Sequence, residues 1–209
     1  MKLKWKVCGM KEPENMARVL ELGPDYMGFI FYERSPRYVG SQWAGTVEDF
    51  PATTGKVGVF VNERPETVKT LAKKFQLDYL QLHGNETPEY CRDLAQAGYS
   101  LIKVLNPETI QSSGHIDAYK PWVEFFLFDT PGKQHGGTGL AFDWSLLKQY
   151  DNEVPVFLSG GISLDNIKMV GELERLNLAA VDINSRFETS PGLKDIAMLK
   201  KFKNKLAEI

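Results

Sequence analysis

Residues 4–13 read Lys4-Trp5-Lys6-Val7-Cys8-Gly9-Met10-Lys11-Glu12-Pro13, and this stretch contains a strand, a turn and the start of a helix. Apolar residues alternate with lysines over Lys4–Val7, the period-two pattern that is typical of a β-strand. Gly9 permits a tight turn, and Pro13 suits the first turn of a helix. The stretch therefore predicts a βα unit with Cys8 at the end of its strand.

Similar short apolar runs recur at intervals of about two dozen residues, which is the length of a βα repeat. The eight predicted strands are Leu3–Cys8, Tyr26–Phe31, Lys56–Val61, Tyr79–His83, Ser100–Leu105, Glu124–Asp129, Val154–Ser159 and Ala179–Asn184. Amphipathic segments predict helices over Pro13–Leu22, Pro65–Phe75 and Asp195–Leu206, with weaker candidates over Ser41–Phe50 and Ser113–Lys120.

Strands that alternate with helices imply a parallel sheet with right-handed crossovers. Eight such units in 209 residues predict an α/β fold, a single (β/α)8 TIM barrel spanning residues 1–209 as one catalytic domain. An open doubly wound sheet is the alternative, but no Gly-x-Gly-x-x-Gly follows the first strand. A Gly-Lys-Ser/Thr phosphate loop is also absent from the sequence.

Composition restricts the partners and the compartment. The net charge of −2 argues against a general nucleic-acid surface, and no apolar run approaches the length of a membrane span. The N-terminal residues lack the apolar core of a signal peptide. Two cysteines, Cys8 and Cys91, do not make a disulfide scaffold, so the protein is expected in a reducing cytoplasm.

Catalytic groups of a (β/α)8 barrel project from the C-terminal ends of its strands, where Cys8 and Asp129 are predicted to lie. A free cysteine is usually a small buried apolar residue, and that interpretation remains open for Cys8. Asp129 closes the apolar run Glu124–Asp129, and partial desolvation suits it to donate a proton. A helix cap or an ion pair is the alternative. The glycine-rich segment Thr130–Gly139 that follows resembles an active-site lid, and Asp143 is a candidate helix cap.

Two loops predict a phosphate site. Gly160 and Gly161 follow the seventh predicted strand, and Asn184, Ser185 and Arg186 end or follow the eighth. Phosphates in this fold bind in the loops after strands seven and eight, and paired glycines let backbone N–H groups approach phosphate oxygens. The fold is therefore predicted to be a barrel of the phosphate-binding type.

Three further polar residues are candidates for the C-terminal end of the barrel. Arg37, within Ser35-Pro36-Arg37-Tyr38, can bind a carboxylate with two parallel hydrogen bonds, or it is a solvated surface arginine. Gln81 and His83 share one face of the fourth predicted strand, although His83 is equally compatible with a core position. His115 and His135 do not join His83 in metal-ligand spacing, so no metal is expected.

Taken together, these motifs resemble the phosphoribosylanthranilate isomerase family of tryptophan biosynthesis. The matching segments occur in the family's order: Lys6-Val-Cys-Gly9, Gly28-Phe-Ile-Phe-Tyr32, Ser35-Pro-Arg-Tyr38, Val57–Asn62, Gln81-Leu-His-Gly84, Phe128-Asp-Thr130, Gly136–Gly139, Phe142-Asp-Trp144, Ser159-Gly-Gly161, Val181-Asp182, Pro191-Gly192 and Lys194-Asp195.

The resemblance implies an Amadori rearrangement of N-(5'-phosphoribosyl)anthranilate, catalysed without a cofactor. It implies that Asp129 is the general acid, which protonates the furanose ring oxygen, and that Cys8 is the general base, which removes the C2 proton. It assigns the anthranilate carboxylate to Arg37 and the phosphate to the loops after strands seven and eight. The implied partner is this small molecule, with no nucleic acid or membrane, and the implied assembly is a monomer or a weak homodimer.

The resemblance also adds Gln81, His83 and Asp182 to the substrate-binding residues. Because a cysteine base needs positive charge nearby, we expect Lys6, two residues earlier on the same strand face, to lower the pKa of Cys8. The alternative is a structural ion pair between Lys6 and Asp182.

The sequence departs from the family at one motif. After the eighth strand the family commonly has Ser-Ser-Gly-Val-Glu, whereas this chain has Asn184-Ser185-Arg186-Phe187-Glu188. We expect the guanidinium of Arg186 to add a contact to the phosphate. Weaker phosphate binding, through the lost glycine, is the alternative.

The sequence leaves two alternative functions open. An aldolase-like or epimerase-like sugar-phosphate enzyme needs a catalytic lysine or a histidine metal cluster, and Lys103 is the only lysine inside a middle predicted strand. A non-catalytic barrel that binds a phosphorylated metabolite has no need of Cys8 or Asp129, and both are present.

Overall fold

A computed structural model describes residues 3–40, 43, 50–111, 116–129 and 144–209. Eight parallel strands pair in chain order and close into a barrel, with the first strand paired to the eighth. These strands are β1 (Lys4–Val7), β2 (Tyr26–Ile30), β3 (Gly55–Phe60), β4 (Tyr79–Leu82), β5 (Ser100–Leu105), β6 (Phe125–Phe128), β7 (Val156–Leu158) and β8 (Leu178–Ile183). The predicted (β/α)8 barrel is confirmed.

Seven of the eight predicted runs end one residue beyond the observed strand. Those residues therefore stand at the C-terminal rim of the barrel, just past the hydrogen-bonded ladder. We call this rim the barrel mouth, and its members are Cys8, Phe31, Val61, His83, Asp129, Ser159 and Asn184.

Four α-helices occur in the described residues: α1 (Pro13–Leu20), α2 (Pro65–Lys74), α3 (Pro88–Gln96) and α4 (Ile196–Leu206). A proline begins α1, α2 and α3, where its missing N–H has no helical partner to lose. The carboxylate of Asp195 caps α4 by accepting hydrogen bonds from two backbone N–H groups. The described helices are all too short or too polar to cross a lipid bilayer.

Several crossovers use 3₁₀ turns where the barrel pattern predicts α-helices. These 3₁₀ segments are Pro107–Gln111, Lys120–Trp122, Trp144–Gln149, Ile167–Glu172 and Ser185–Phe187. The predicted helix Ser113–Lys120 is described only from residue 116, where it forms a turn. The predicted helix Ser41–Phe50 lies almost wholly outside the described residues, as do the glycine-rich loop Thr130–Gly139 and the cap Asp143.

The barrel interior is apolar towards the N-terminal ends of the strands and polar towards the mouth. One core cluster fills the lower interior and consists of Tyr26, Val57, Ile102, Leu127, Phe157 and Ala180. Above it the inward positions become Lys6, Gln81 and Asp182, each at most 7% exposed. Because strand side chains alternate between faces, these three residues share the inward face with Cys8, His83 and Asn184. The fold thus concentrates inward-facing polar groups beneath the mouth.

A small antiparallel hairpin follows the barrel, formed by β9 (Glu188–Ser190) and β10 (Leu193–Lys194). Its turn contains Pro191 followed by Gly192 at φ +87°, the order that a type II turn requires. The side-chain amide of Asn15 in α1 forms two hydrogen bonds with the backbone of the last hairpin residue: it donates to Lys194 O at 2.9 Å and accepts from Lys194 N at 2.8 Å. The hairpin is therefore fastened to the first helix.

Candidate active site

Cys8 lies immediately after β1 and is only 5% exposed. Its backbone N–H donates to Ile183 O at 2.9 Å, which ties it to β8. On the other side lies Gly28 of β2, where an added Cβ would stand 2.8 Å from Cys8 Sγ and 3.2 Å from Lys6 Cε. The thiol thus has a confined position between three strands.

Lys6 and Asp182 form a buried ion pair beside this thiol. Lys6 is 0% exposed, and its Nζ lies 3.0 Å from both carboxylate oxygens of Asp182. The structural pairing that the sequence left as the alternative is therefore present. Asp182 is used here to balance a lysine, and its predicted contact with substrate stays a prediction.

The charges around Cys8 oppose one another. Burial raises the pKa of the Cys8 thiol above its ordinary value, and the nearby Asp182 carboxylate adds to that rise. Lys6 and Lys194 both act in the opposite direction. Lys6 therefore acts on the pKa of Cys8 in the expected direction, but burial outweighs it.

Asp129 lies at the mouth after β6 and is held by two side chains. His83 Nε2 lies 3.3 Å from one carboxylate oxygen, and Ser159 Oγ donates to the other at 3.3 Å. Gln81 lies behind the histidine, with its Nε2 3.2 Å from His83 Nδ1. A Gln81 N–H that donates to Nδ1 leaves the ring proton on Nε2, directed at Asp129. The structure thus brings together three predicted site residues, and Ser159 is a fourth member that the sequence reasoning missed.

Gln81 carries an unusual atom. The residue is 1% exposed, and within the described residues its Oε1 has no hydrogen-bond partner. Buried acceptors in folded proteins are nearly always paired. An unpaired acceptor beneath the mouth fits a hydroxyl group supplied by a ligand.

The predicted phosphate loops are neighbours because β7 and β8 pair directly. Gly160 and Gly161 have φ +82° and +74°, a backbone conformation that favours glycine. Asn166 steadies this loop, since its Nδ2 donates to Gly161 O at 2.9 Å. After β8, Asn184 is followed by the single 3₁₀ turn Ser185–Phe187, in which Arg186 is exposed.

Arg37 is not the surface arginine that its residue type suggests. It is 7% exposed, and it binds the carboxylate of Glu188 through Nε at 3.0 Å and Nη2 at 2.6 Å. The two parallel hydrogen bonds predicted for a carboxylate are present, but they go to an acid of the same chain. The Arg37 side chain also passes over Gly9, where an added Cβ would stand 2.6 Å from Arg37 Cδ. This arginine therefore lies beside the residue that follows Cys8.

Lys194 and Glu188 complete the site, and the sequence reasoning did not select them. Lys194 Nζ donates to Glu188 Oε1 at 2.6 Å and to Asn184 Oδ1 at 2.7 Å. Burial lowers the pKa of Lys194 to about 8, although Glu188 opposes that shift. Burial also disfavours the Glu188 carboxylate, but Arg37 and Lys194 outweigh it and hold the pKa of Glu188 below its ordinary value. The Pro191-Gly192 turn was the one signal for a hairpin that returns to the mouth.

Lys103 has a structural position. Its Nζ binds Glu86 at 2.9 Å and also donates to the carbonyls of Leu82 and Gly84 at 3.1 and 2.7 Å. An ammonium group with three protein acceptors has no donor left for substrate. The aldolase-like alternative, which required a catalytic lysine, therefore loses its candidate.

These features together define a class of enzyme. A closed eight-stranded barrel places a thiol after β1 and a carboxylate after β6 at one mouth, above a polar layer and beside glycine loops of the phosphate-binding type. Such an arrangement belongs to barrel enzymes that move protons on small phosphorylated substrates.

Comparison with known proteins identifies the family. The chain matches the N-(5'-phosphoribosyl)anthranilate (PRA) isomerase family over residues 5–205, and it belongs to that family. The N-(5'-phosphoribosyl)anthranilate isomerase of Parabacteroides distasonis is 46% identical over 94% of this chain and 90% of the relative. That of Phocaeicola vulgatus is 41% identical over 97% of both chains.

Solved structures agree with this assignment. The phosphoribosyl anthranilate isomerase of Thermotoga maritima superimposes with a TM-score of 0.84 at 32% identity, over 99% of this chain and 100% of that one. A second isomerase structure, in complex with reduced 1-(o-carboxyphenylamino)-1-deoxyribulose 5-phosphate, gives a TM-score of 0.81 at 31% identity, over 99% and 100% of the two chains. The resemblance stated from the motifs is confirmed, and with it the assignment to the isomerases of tryptophan biosynthesis.

Proposed function

We propose that residues 1–209 form one catalytic domain that isomerises N-(5'-phosphoribosyl)anthranilate to 1-(2-carboxyphenylamino)-1-deoxyribulose 5-phosphate in L-tryptophan biosynthesis. The observation that carries the proposal is the separation of two proton-transfer groups at one mouth. Cys8 stands among lysines after β1, and Asp129 is held by His83 and Ser159 after β6. Two groups in such different environments can divide the acid and base roles of one reaction.

Asp129 acts first, as the general acid. It donates a proton to the furanose ring oxygen while the C1–O bond breaks, and the anilino nitrogen supplies the electron pair that forms the C1=N Schiff base. The carboxylate that remains accepts hydrogen bonds from His83 and Ser159, whose donors lie 3.3 Å from its two oxygens. Hydrogen bonds to a charged acceptor are stronger than neutral ones, so these partners favour the state after proton transfer.

Cys8 acts second, as the general base. It removes the proton from C2, and the C2–H electrons form a C1–C2 double bond while the Schiff-base nitrogen recovers its pair. The resulting enol gives the ketone product when C1 takes up a proton and the C2 hydroxyl loses one. Burial favours the neutral thiol of Cys8, whereas Lys6 and Lys194 favour the thiolate. The cationic Schiff base formed in the first step adds positive charge near the sulfur. We therefore expect the basicity of Cys8 to develop after the ring has opened.

The remaining predicted residues hold the substrate. The phosphate is assigned to the loops after β7 and β8, and their adjacency at the mouth supports this assignment. The residues assigned to it are Gly160, Gly161, Asn184, Ser185 and Arg186. Arg37 binds the anthranilate carboxylate. The Oε1 of Gln81, which has no hydrogen-bond partner among the described residues, accepts a hydrogen bond from a ribose hydroxyl, next to His83 and Asp182.

The protein is further proposed to work in the cytoplasm as a monomer or a weak homodimer, on a small molecule and without nucleic acid or membrane. Two free cysteines support a reducing compartment. Among the described residues, the large apolar side chains that are exposed are Met169, Leu193 and Ile209. Light scattering after size exclusion should give a mass near that of one chain at low concentration, and a stable larger mass would contradict this.

The experiment that tests the catalytic roles measures the loss of phosphoribosylanthranilate fluorescence with wild type, Cys8→Ala and Asp129→Asn. Each substitution should lower kcat by at least about 100-fold, the usual contribution of a general acid or base. Cys91→Ala is the matched control, because Cys91 is also a buried cysteine but lies in α3, and it should retain activity. Unimpaired turnover in Cys8→Ala or in Asp129→Asn would overturn the mechanism.

A further inference from the structure

We propose that the β9–β10 hairpin makes the site selective for a carboxylated substrate: Glu188 orients Arg37, and Lys194 restores the positive charge that Glu188 neutralises. Both act as positioning residues, and the proposal rests on the proposed placement of the substrate carboxylate at Arg37. We call Arg37, Glu188 and Lys194 the hairpin cluster.

Glu188 fixes the direction of the guanidinium. It binds the edge formed by Nε and Nη2, which uses one N–H of each nitrogen. A guanidinium has five N–H donors, so the opposite edge keeps the two on Nη1 and one on Nη2. Within the part of the chain that the structure describes, no hydrogen bond from Nη1 is present. The opposite edge can therefore bind a second carboxylate in the same bidentate manner.

The charges of the hairpin cluster do not balance. Two cations, Arg37 and Lys194, surround one anion, Glu188, whose oxygens also accept the N–H of Gly192 at 3.1 Å. The three side chains are between 0 and 8% exposed. A buried net charge is unfavourable unless it is paired. Burial lowers the pKa of Lys194 to about 8 and the charge of Arg37 adds to that shift, although Glu188 and Cys8 oppose it. A carboxylate bound at the free edge of Arg37 would pair the excess charge.

The cluster cannot relax by moving away. The side chain of Asn15 holds the Lys194 backbone through two hydrogen bonds, at 2.9 and 2.8 Å. Asn184 binds the ammonium group itself at 2.7 Å. The excess charge is thus rigidly held beside Arg37, and preorganised charge of this kind strengthens binding because little ordering remains to be done.

The test compares two ligands by calorimetry: the product 1-(2-carboxyphenylamino)-1-deoxyribulose 5-phosphate and its analogue without the carboxylate. The Kd of the analogue divided by the Kd of the product measures how much the carboxylate contributes to the affinity. We expect Lys194→Met to reduce this ratio about tenfold, at the lower end of what a charge-assisted hydrogen bond contributes. Lys103→Met is the matched control, because Lys103 is an equally buried lysine in a Glu ion pair, and it should leave the ratio unchanged.

The outcomes separate this inference from the proposed function. If Arg37→Met lowers the ratio but Lys194→Met does not, the hairpin inference is wrong and the carboxylate placement stands. Equal weakening of both ligands by Lys194→Met would also refute the inference, because it would indicate a general structural effect. A wild-type protein that binds both ligands equally would overturn the placement and the inference together.

A second measurement needs no variant. The groups facing Lys194 are Glu188 from β9, Cys8 from the turn after β1 and Arg37 from the loop after β2. A bound carboxylate favours protonated Lys194, so the wild-type Kd for the carboxylated product should rise as the pH increases above about 8. The analogue without the carboxylate corrects for titration of Cys8, and its Kd should change less. Parallel pH curves for the two ligands would contradict the proposal.

Discussion

Gly28→Ala should displace the thiol of Cys8, the proposed general base, without removing any functional group. The new Cβ would lie 2.8 Å from Cys8 Sγ, 3.1 Å from Cys8 Cα and 3.2 Å from Lys6 Cε. Nonbonded contacts of this kind favour about 3.5 Å or more, so Cys8 or β2 must move by roughly 0.7 Å. Cys8 is confined by its hydrogen bond to Ile183, which limits that movement. Overpacking of a buried site destabilises by about 1–3 kcal/mol.

The expected changes are measurable in two assays. In a chain of this size about 1 kcal/mol corresponds to roughly 2–4 °C, so the Tm should fall by several degrees. A displacement approaching 1 Å can lower activity about 100-fold, so kcat/KM should fall by roughly 10–100-fold. Gly171→Ala is the control, since its nearest new contact is an ordinary 3.4 Å from Ile209.

A double variant identifies the clash. If Sγ is the atom displaced, Cys8→Ala should recover much of the Tm lost in Gly28→Ala, because contacting sites are coupled. Wild-type Tm and kcat/KM in Gly28→Ala would refute the packing argument. An unrecovered Tm in the double variant would locate the strain elsewhere.

Further predictions concern three charged residues. Lys6→Met should raise the pKa of the Cys8 thiol, since Lys6 opposes the effect of burial. Ultraviolet titration of the thiolate, with Cys8→Ala as the blank, measures this pKa. An unchanged titration curve would show that Lys6 does not affect the thiol. Arg186→Gly should raise KM for the phosphorylated substrate with little change in kcat, as steady-state kinetics would show, and an unchanged KM counts against a phosphate contact. Lys103→Met should lower the free energy of unfolding by about 3–5 kcal/mol in urea denaturation, because it leaves Glu86 buried without its cation. A loss of stability below about 1 kcal/mol would mean that the backbone N–H groups that donate to Glu86 stabilise its buried carboxylate without Lys103.

The barrel and the positions of Cys8 and Asp129 at its mouth were predictable because both follow from local patterns. Period-two runs reveal strands, and parallel strands in a barrel end at one rim, so the residue after each run is already placed. Cys8 and Asp129 were found in this way. His83 was placed on the inward face by alternation alone, although its contact with Asp129 joins β4 to β6 and has no sequence signal.

The hairpin cluster was not predictable for a physical reason. Its strands have three and two residues, too few to show any period. Arg37 and Glu188 are 151 positions apart, so their pairing depends on closure of the whole barrel. Residue type misleads as well, because arginine is usually exposed. The short 3₁₀ crossovers were missed since they lack the several turns that a helical period needs.

The ion pair of Lys6 and Asp182 has a consequence for how the chain is made. These partners are 176 positions apart, so Lys6 is synthesised long before Asp182. Until β8 docks against β1, the ammonium group has no carboxylate and remains in water, because burying it alone is strongly unfavourable. Pairing of β1 with β8 and neutralisation of Lys6 by Asp182 therefore depend on each other. A nascent chain that lacks β8 has neither the final strand pairing nor the charge balance that lets its first strand enter the core.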